Sequence, residues 1–329
     1  ELFYDNINAN GLDLLTVNAT LKLVTGNPHK LDKFIDPQLL QRITKYCLEE
    51  FHHSDELEGL LILKILPKLC NLHILEENWG SVEDIISWIL NNLDSPFTEL
   101  RFKLARNFGK IVTLIKKYAD DMAQELVELC VCDVVSLLKD KARETIDSDT
   151  LHSYLLILAE FSRFKLIPDN LLKNLVTDII PHTIKFQQLR IAHIQGHLVR
   201  DATNFICWSL ARNYESSDDI TRKIFVNLLM CSMFDHDLVI RRSANAALQE
   251  VLGRGAQYFL DNGTTMKIIE LSVGNLTASY LENTVRLCEV FSGSYPAYTE
   301  FMIEWLLDYN VAQNHDLHIV KLTCQTLRK

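Results

Sequence analysis

The stretch that decides the fold of this chain runs from residue 196 to residue 254 and consists of two similar halves. The first half reads GHLVRDATNFICWSLARNY (196–214), and the second reads FDHDLVIRRSANAALQEVLGR (234–254). Each half opens with a turn, followed by an aliphatic residue and an arginine: Val199-Arg200 in the first and Ile240-Arg241 in the second. These anchors are 41 residues apart. A period of that size, carried by paired helices, is typical of HEAT or armadillo repeats.

The apolar residues of the second half have the spacing of one helix face, because they recur at steps of three and four: Ile240, Ala244, Ala247, Leu248 and Val251. Comparable anchors at the starts of the predicted second helices of each repeat fall near Gly59, Leu100, His152, Val199, Ile240, Tyr280 and Ile319. Their spacings lie mostly near the HEAT period of about 40 to 47 residues. We therefore predict an all-α solenoid of HEAT or armadillo-type repeats. It should be one continuous array over residues 1–329 with roughly seven repeats, matching weakly over 1–147 and clearly over 148–329.

The composition agrees with a helical-repeat protein. Of the 329 residues, 48% are hydrophobic, which suffices for a core that grows along the array. Glycine (11 residues) and proline (7 residues) are scarce, as expected when few residues lie outside helices. The chain starts without Met and stops within a helical pattern, so we expect it to be an internal piece of a longer protein.

The charge balance bears on the class of partner. The net charge is −10, from 43 acidic and 33 basic side chains, so the chain as a whole should bind neither nucleic acid nor an anionic membrane. A basic partner surface, or no electrostatic preference, fits better. The start of the chain lacks the features of a signal peptide. Charged residues interrupt the longest apolar run, at 57–75, which therefore predicts a core helix.

The cysteines predict free thiols in a reducing compartment. Six of the eight lie within apolar helical stretches, where a thiol acts as a small hydrophobic group: Cys47, Cys70, Cys207, Cys231, Cys288 and Cys324. Cys130 and Cys132 form a C-x-C pair, but no second pair has the spacing of a metal site. We predict that both are buried helix thiols.

Turn and breaker residues divide the chain into helices. Gly26-Asn27-Pro28 ends an early helix, Asp36-Pro37 begins the next one, and residues 52–55 form a turn. In the second half we predict helices near 197–214, 219–233, 237–253, 276–292, 297–309 and 315–328. The link at 253–263 should be irregular, with Tyr258, Phe259 and Leu260 packing back onto the repeats.

No motif in the chain predicts catalysis. The glycine-rich nucleotide-binding loops, the nucleophile elbow and the helical zinc-protease motif are absent from the sequence, so we predict no enzyme activity, cofactor or metal. His193 and His197 have a spacing that could present two imidazoles on one helix face. Gly196 lies between them, however, and no acidic third ligand follows. A loop or helix-start pair is the better interpretation.

The arginines of the repeat openings have a structural and a functional interpretation. Asp237 and Arg241 are four residues apart and could meet on one helix face, as in the aspartate–arginine ladders of HEAT arrays, and Arg200 could join them. Arg242 and Arg254 do not fit such a ladder and are the better candidates for a partner surface. The candidate protein-binding residues are therefore Arg242, Arg254, Arg200, Asp201 and Arg241. Trp208 and Trp305 are predicted to be core residues.

The same stretch resembles the tubulin-folding cofactor D family. In the first half, the residues that match the family pattern are Arg200, Asp201, Ala202, Cys207, Trp208, Ala211, Arg212 and Tyr214. In the second half they are Phe234, Asp235, Asp237, Arg241, Arg242, Ala244, Ala247, Gln249, Glu250, Gly253 and Arg254. The resemblance is dense from about residue 196 to 302 and loose upstream. Departures at Gly255-Ala256 and at 260–263 indicate a divergent, fungal member.

The resemblance implies a function that composition and period do not supply. Members of the family are large HEAT proteins without a catalytic site. They bind β-tubulin and work with cofactor E and an Arf-like small GTPase to assemble or dissociate the αβ-tubulin dimer. We therefore expect a cytoplasmic, cytoskeleton-associated chaperone scaffold of microtubule biogenesis. The alternative is a generic HEAT adaptor, of the karyopherin or phosphatase-scaffold kind, that binds another protein.

Overall fold

The computed structural model describes residues 13–25, 37–49, 56–190, 193–215, 217–274 and 280–328. The chain divides into two units, residues 1–127 and residues 128–329. Helices make up most of both units, so the all-α prediction is confirmed. The single continuous array of roughly seven repeats stays a prediction. The breaker at residues 26–28, the Asp36 cap and the turn at 52–55 lie outside the described residues.

The first unit is built from two layers of helices. Its helices are α1 (Leu14–Thr25), α2 (Pro37–Glu49), α3 (Glu56–Leu75), α4 (Trp79–Leu90) and α5 (Thr98–Tyr118), and α6 (Asp120–Asp140) begins in it. Helix α3 packs between α1 and α5, while α2 and α4 pack on the other side of α3 and on each other. The apolar stripe of α3 is fully buried at this junction, for example at Ile62 and Leu66. The layers form because each amphipathic helix must cover its apolar face.

The second unit is also helical and has irregular links between its helices. After a 3₁₀ turn at Arg143–Thr145, its elements are α7 (Ser148–Arg163), α8 (Asp169–Asn174), α9 (Ile180–Thr183), β1 (Gln188–Arg190), β2 (His193–Gln195), α10 (His197–Asn213), α11 (Asp218–Phe234), α12 (Leu238–Gly255), α13 (Asn262–Gly274), α14 (Tyr280–Phe291), α15 (Pro296–Trp305) and α16 (Leu317–Arg328). A π-helical turn, Leu175–Ile179, joins α8 to α9, and a second π-helical segment, Leu306–Ala312, follows α15.

Helices α7, α10 and α12 form one layer of the second unit, with α10 in the middle. These helices carry the predicted anchors His152, Val199 and Ile240, and all three side chains are buried. Helix α11 packs against α12 from the second layer, and it also contacts α14 and α15. The period read from the sequence therefore locates the helices of this layer correctly.

A short β-hairpin between α9 and α10 is a feature that the sequence analysis missed. Strands β1 and β2 are antiparallel, with Gln188 opposite Gln195 and Leu189 opposite Ile194. Three-residue strands are too short to produce a recognisable alternation of polar and apolar residues. The hairpin matters for the site below because it precedes α10.

Helix α13 corrects the prediction for residues 253–275. We expected an irregular link over residues 253–263 and the next helix near 276–292. Asp261 instead caps a helix, since its carboxylate accepts hydrogen bonds from the backbone N–H (2.8 Å) and the hydroxyl (2.6 Å) of Thr264. Phe259 and Leu260 are buried as predicted, whereas Tyr258 is exposed.

Candidate functional site

We call the two strands and the segment before them, residues 184–190 and 193–195, the hairpin region. An ion pair buried in the second unit connects this region, α10 and the turn before α12. The Arg200 guanidinium donates from Nε to Asp235 Oδ2 at 2.7 Å and from Nη2 to Asp235 Oδ1 at 3.3 Å. Its Nη1 donates to the carbonyl of Phe186 at 3.0 Å. Both charged side chains are inaccessible to solvent, at 1% and 0% exposure. Arg200 is therefore an internal strut, as the structural interpretation expected, and cannot contact a partner directly.

Asp235 holds further groups besides Arg200. The Tyr309 hydroxyl donates to Asp235 Oδ2 at 3.0 Å, and the backbone N–H of Asp237 donates to Oδ1 at 2.8 Å. Burial, followed by the charge of Asp235, holds the pKa of Tyr309 well above its usual value. The phenol therefore stays protonated and can serve as a donor. With these bonds the buried carboxylate is satisfied from three segments of the chain.

The arginine ladder differs in detail from the one predicted. Arg241 donates from Nη1 to the carbonyl of Asp235 at 2.7 Å, while the Asp237 side chain caps α12 by accepting from the N–H of Val239. The aspartate that pairs with an arginine is thus Asp235, two residues before the one we expected. Arg101 in the first unit binds the carbonyl of Ser95, also six residues earlier in the chain. The equivalent arginines therefore fix the turn in front of their own helix.

Residues far apart in the sequence meet beside this cluster. Lys185 Nζ and Asp308 Oδ2 form an ion pair at 2.5 Å, and Gln187 donates to the carbonyl of Tyr309 at 3.3 Å. Asn310 donates to the carbonyl of Phe234 at 3.1 Å. The π-helical segment after α15 is therefore bound to the hairpin region and to the turn before α12. Asp235 and Tyr309 had no signal in the sequence that would have paired them.

In the layer formed by α7, α10 and α12, equivalent positions of α10 and α12 have the same environment. Residues 41 apart are buried together, as Val199 and Ile240 or Cys207 and Leu248 are. A hydrogen bond of 2.9 Å from Asn204 to Ser243 joins the two helices. The solvent-facing positions correspond in the same way, so that Asp201 on α10 is the equivalent of Arg242 on α12.

Helix α10 presents aromatic side chains on this surface. Phe205 and Trp208 are half-buried, with ring centroids 6.0 Å apart. The exposed guanidinium of Arg212 lies over the Trp208 ring, with its Cζ 5.0 Å from the centroid. Trp208 is therefore only half-buried, at the edge of the layer, whereas the prediction placed it in the core. Trp305 is buried as predicted, at 2% exposure.

The remaining candidate residues lie on the surface. Arg242 and Arg254 are both exposed, and Asp201 is half-buried. Arg254 forms an ion pair with Glu250, one turn earlier on α12, at 2.5 Å. The structure thus brings Asp201, Arg242 and Arg254 to the solvent side of the layer, and places Arg200 inside it. Whether any of them binds a partner stays a prediction.

The two histidines with metal-site spacing lie in different elements. His193 and His197 do not share a helix, because His193 belongs to β2 and α10 begins at His197. In the part of the chain that the structure describes, no group of three or more His, Cys, Asp or Glu side chains could hold a metal ion.

An open cleft of about 480 Å³ in the first unit is lined by ten residues, among them Lys45, Asp84 and Trp88. Lys45 is held by Glu49 at 3.6 Å.

The thiols follow the sequence prediction only in part. Cys47, Cys70, Cys130, Cys207 and Cys231 are buried and free, whereas Cys132 and Cys324 are exposed. The prediction that Cys132 is buried was therefore wrong, because α6 turns this residue to solvent. Among the described helices, none is long and apolar enough to span a bilayer.

Comparison with known families identifies the repeats of this chain. The family model described as "Tubulin-specific chaperone D-like, ARM repeats" matches residues 73–263, more than half of the chain. The chain belongs to this family. The match includes α10, α12 and the Arg200–Asp235 pair, so the resemblance read from the repeat openings is confirmed.

Two curated relatives bear names of the same kind. "Tubulin-specific chaperone D" of Dictyostelium discoideum is 29% identical over 242 residues, which cover 72% of this chain and 15% of that protein. "Tubulin-folding cofactor D" of Schizosaccharomyces pombe is 21% identical over 255 residues, which cover 75% of this chain and 22% of that protein. The chain therefore spans less than a quarter of either relative.

A crystal structure of an engineered protein aligns with this chain over 96% of this chain and 72% of the engineered protein. It has 16% sequence identity and a TM-score of 0.39, which is too low to support an argument about the fold.

Proposed function

We propose that this chain is part of a tubulin-folding cofactor. In this proposal it is a non-enzymatic helical-repeat scaffold that binds β-tubulin. Together with cofactor E and an Arf-like small GTPase, it assembles or dissociates the αβ-tubulin dimer in the cytoplasm, near the cytoskeleton. The observation that carries the proposal is the family match over residues 73–263. The printed names of the two relatives support it.

The layered architecture is compatible with a scaffold. Side-by-side helices expose long surfaces that can hold a globular partner through many contacts, and such a protein needs no reactive group of its own. The Arg200–Asp235 ion pair is sealed from solvent and satisfied internally. It can therefore fix the shape of a binding surface, but it cannot reach a substrate.

Co-purification tests the proposal. The full-length protein, carrying an affinity tag, should retain β-tubulin from a cell extract and should bind purified αβ-tubulin directly. Cofactor E and an Arf-like GTPase should be recovered in the same complexes. A helical-repeat protein of another family, prepared in the same way, serves as the control.

Two results would contradict the proposal. Absence of tubulin, cofactor E and the GTPase from the purified complexes would remove its basis. Specific binding of basic localisation peptides or of a phosphatase catalytic subunit, without tubulin, would instead favour the generic adaptor.

A further inference from the structure

The solvent side of the α10–α12 layer has the composition of a protein-binding surface. We define the α10–α12 face by Asp201, Phe205, Trp208 and Arg212 on α10 and Arg242 on α12. Tryptophan and arginine are the residue types most enriched among those that dominate binding energy at interfaces. Here two aromatic rings and two arginines are grouped on neighbouring helices, although the sequence suggested that Trp208 belongs to the core.

The shape of this face leaves the aromatic side chains accessible. The positions of α12 that are equivalent to Phe205 and Arg212 are Ala246 and Gly253, which are small and exposed. A Cβ atom added to Gly253 would meet nothing within 4 Å. The large side chains of α10 therefore stand beside a surface on α12 that is low at Ala246 and Gly253 and carries the exposed Gln249 at the position equivalent to Trp208. An extended or helical segment could lie along this surface against the aromatic rings.

The charges of the face point to the chemistry of the occupant. Arg212 and Arg242 are exposed, and neither forms an ion pair with a side chain that the structure describes. Asp201 contributes one negative charge, so the residues that define the face carry a net charge of +1, from two arginines and one aspartate, within a chain whose net charge is −10. The stacking of Arg212 on Trp208 also holds the guanidinium in place, which lowers the entropy cost of binding a carboxylate.

We propose that the α10–α12 face is the docking surface for an acidic segment of the partner protein, with an apolar side chain of that segment packed on Phe205 and Trp208. Carboxylates of the segment bind Arg212 and Arg242, because the planar guanidinium can donate two parallel hydrogen bonds to a carboxylate. This inference rests on the proposed function, since it takes the partner to be tubulin. The net negative charge of the chain favoured a basic partner surface, whereas at this face we expect an acidic one.

Binding of purified αβ-tubulin to the full-length protein tests the inference. The charge-reversal variant Arg212→Glu/Arg242→Glu should bind at least about tenfold more weakly, and Trp208→Ala should lose about tenfold or more. The affinity of the wild type should fall more steeply with added salt than that of the charge-reversal variant. The reason is that the variant has lost the ionic contacts that salt would screen. A synthetic glutamate-rich peptide should compete with tubulin for the wild-type protein.

Matched controls separate a local effect from general damage. Arg42→Glu on α2 reverses another exposed arginine, and Tyr118→Ala on α5 removes another exposed aromatic ring. Both should change tubulin affinity less than about twofold, since surface residues outside an interface contribute little. The charge-reversal variant changes only exposed residues and loses only the contact of Arg212 with Trp208, so its thermal unfolding should stay close to that of the wild type.

The outcomes distinguish this inference from the proposed function. If the wild-type protein does not bind tubulin, both are overturned. If it binds and the variants of the α10–α12 face bind equally well, this inference alone is overturned. It is also overturned if the variants abolish association between two copies of the chain and leave tubulin binding unchanged.

Discussion

Asp235 is the residue on which the buried polar contacts of the second unit converge. Its carboxylate accepts hydrogen bonds from Arg200 on α10, from Tyr309 after α15 and from the backbone of Asp237. A carboxylate without such partners would be strongly disfavoured in a site closed to solvent. The buried pair is thus a constraint on which segments can pack together, because misassembly would leave a charge unsatisfied.

Removal of the Arg200 guanidinium should show how much the buried pair contributes to stability. We expect Arg200→Met to lower the free energy of unfolding by about 3–5 kcal/mol, because it leaves the Asp235 carboxylate buried without its counter-ion. The double variant Arg200→Met/Asp235→Leu should recover part of the loss. Arg254→Met serves as the control, since the exposed pair of Arg254 with Glu250 should contribute at most about 1 kcal/mol. Chemical denaturation measures all three, and equal effects of Arg200→Met and Arg254→Met would contradict the prediction.

His73 makes the stability of the first unit depend on pH. Its Nε2 lies 2.7 Å from the Thr44 hydroxyl, which also bonds the carbonyl of Leu40 at 3.0 Å. Its Nδ1 has no hydrogen-bond partner in the described part of the chain. Burial, opposed by the charge of Asp84, lowers the pKa of His73 from 6.5 to about 4. The folded state therefore favours the neutral ring.

The sign of the resulting pH dependence follows from linkage. Because the pKa is lower in the folded state, the unfolded chain binds the proton first, and stability is lost as the pH falls from about 6.5 towards 4. Denaturation curves measured over this range should show a smaller decrease for His73→Leu than for the wild type. His318, which is exposed on α16, provides the control variant His318→Leu. Parallel pH profiles for the wild type and His73→Leu would contradict the assignment.

The junction between the hairpin and α10 depends on one glycine. Gly196 has a φ of +125°, and a Cβ atom at this position would overlap the carbonyl oxygen of Phe186. The same carbonyl accepts the hydrogen bond from Arg200. The hairpin can therefore lead into α10 with the arginine in place only if residue 196 has no side chain.

Two glycine substitutions should have opposite effects for this reason. We expect Gly196→Ala to destabilise the protein by more than about 1 kcal/mol, because the native φ and the close carbonyl are both incompatible with alanine. Gly253→Ala should instead raise stability by up to about 1 kcal/mol, since Gly253 lies within α12 with open space around it. Thermal unfolding of the two variants tests the prediction. A loss of stability in both, or in neither, would contradict it.

At the scale of the second unit, a long-range connection departs from a simple linear array. In such an array each repeat contacts only its neighbours. Here Lys185 pairs with Asp308, 123 residues later, and its ammonium lies 5.5 Å from the centre of the Trp305 ring. Trp305 in turn packs edge-on against Tyr309, with ring centroids 5.7 Å apart. The region after α15 should therefore unfold together with the hairpin region.

Hydrogen exchange can detect this coupling. We expect Trp305→Ala to reduce stability by about 3–5 kcal/mol and to increase amide exchange at residues 184–187 and 234–237 as well as near the substitution. Tyr118→Ala, which removes an exposed ring from α5, should leave these segments unchanged. Faster exchange confined to residues 296–316 would show that the two regions open independently.

Much of the fold was predictable because it depends on local patterns. The helices α10, α11 and α12 follow from apolar residues at helical spacing, and the anchor at Ile240 repeats the one at Val199. Helix α13 was missed because Asn262-Gly263 favours a turn in isolation, while the Asp261 cap outweighs that preference. The candidate site was less predictable. Composition alone could not show that Trp208 is only half-buried, since its sequence neighbours are mostly buried.

The sequence by itself determined the helical class, the 41-residue relation between the two repeat openings and the family of the chain. Helical periodicity and family motifs are properties of short stretches, so they need no knowledge of distant contacts. Only the tertiary structure decided that Arg200 pairs with Asp235 and that Tyr309 joins them. Those partners lie 35 and 74 residues apart along the chain. Their meeting depends on how whole helices pack, which no local pattern encodes.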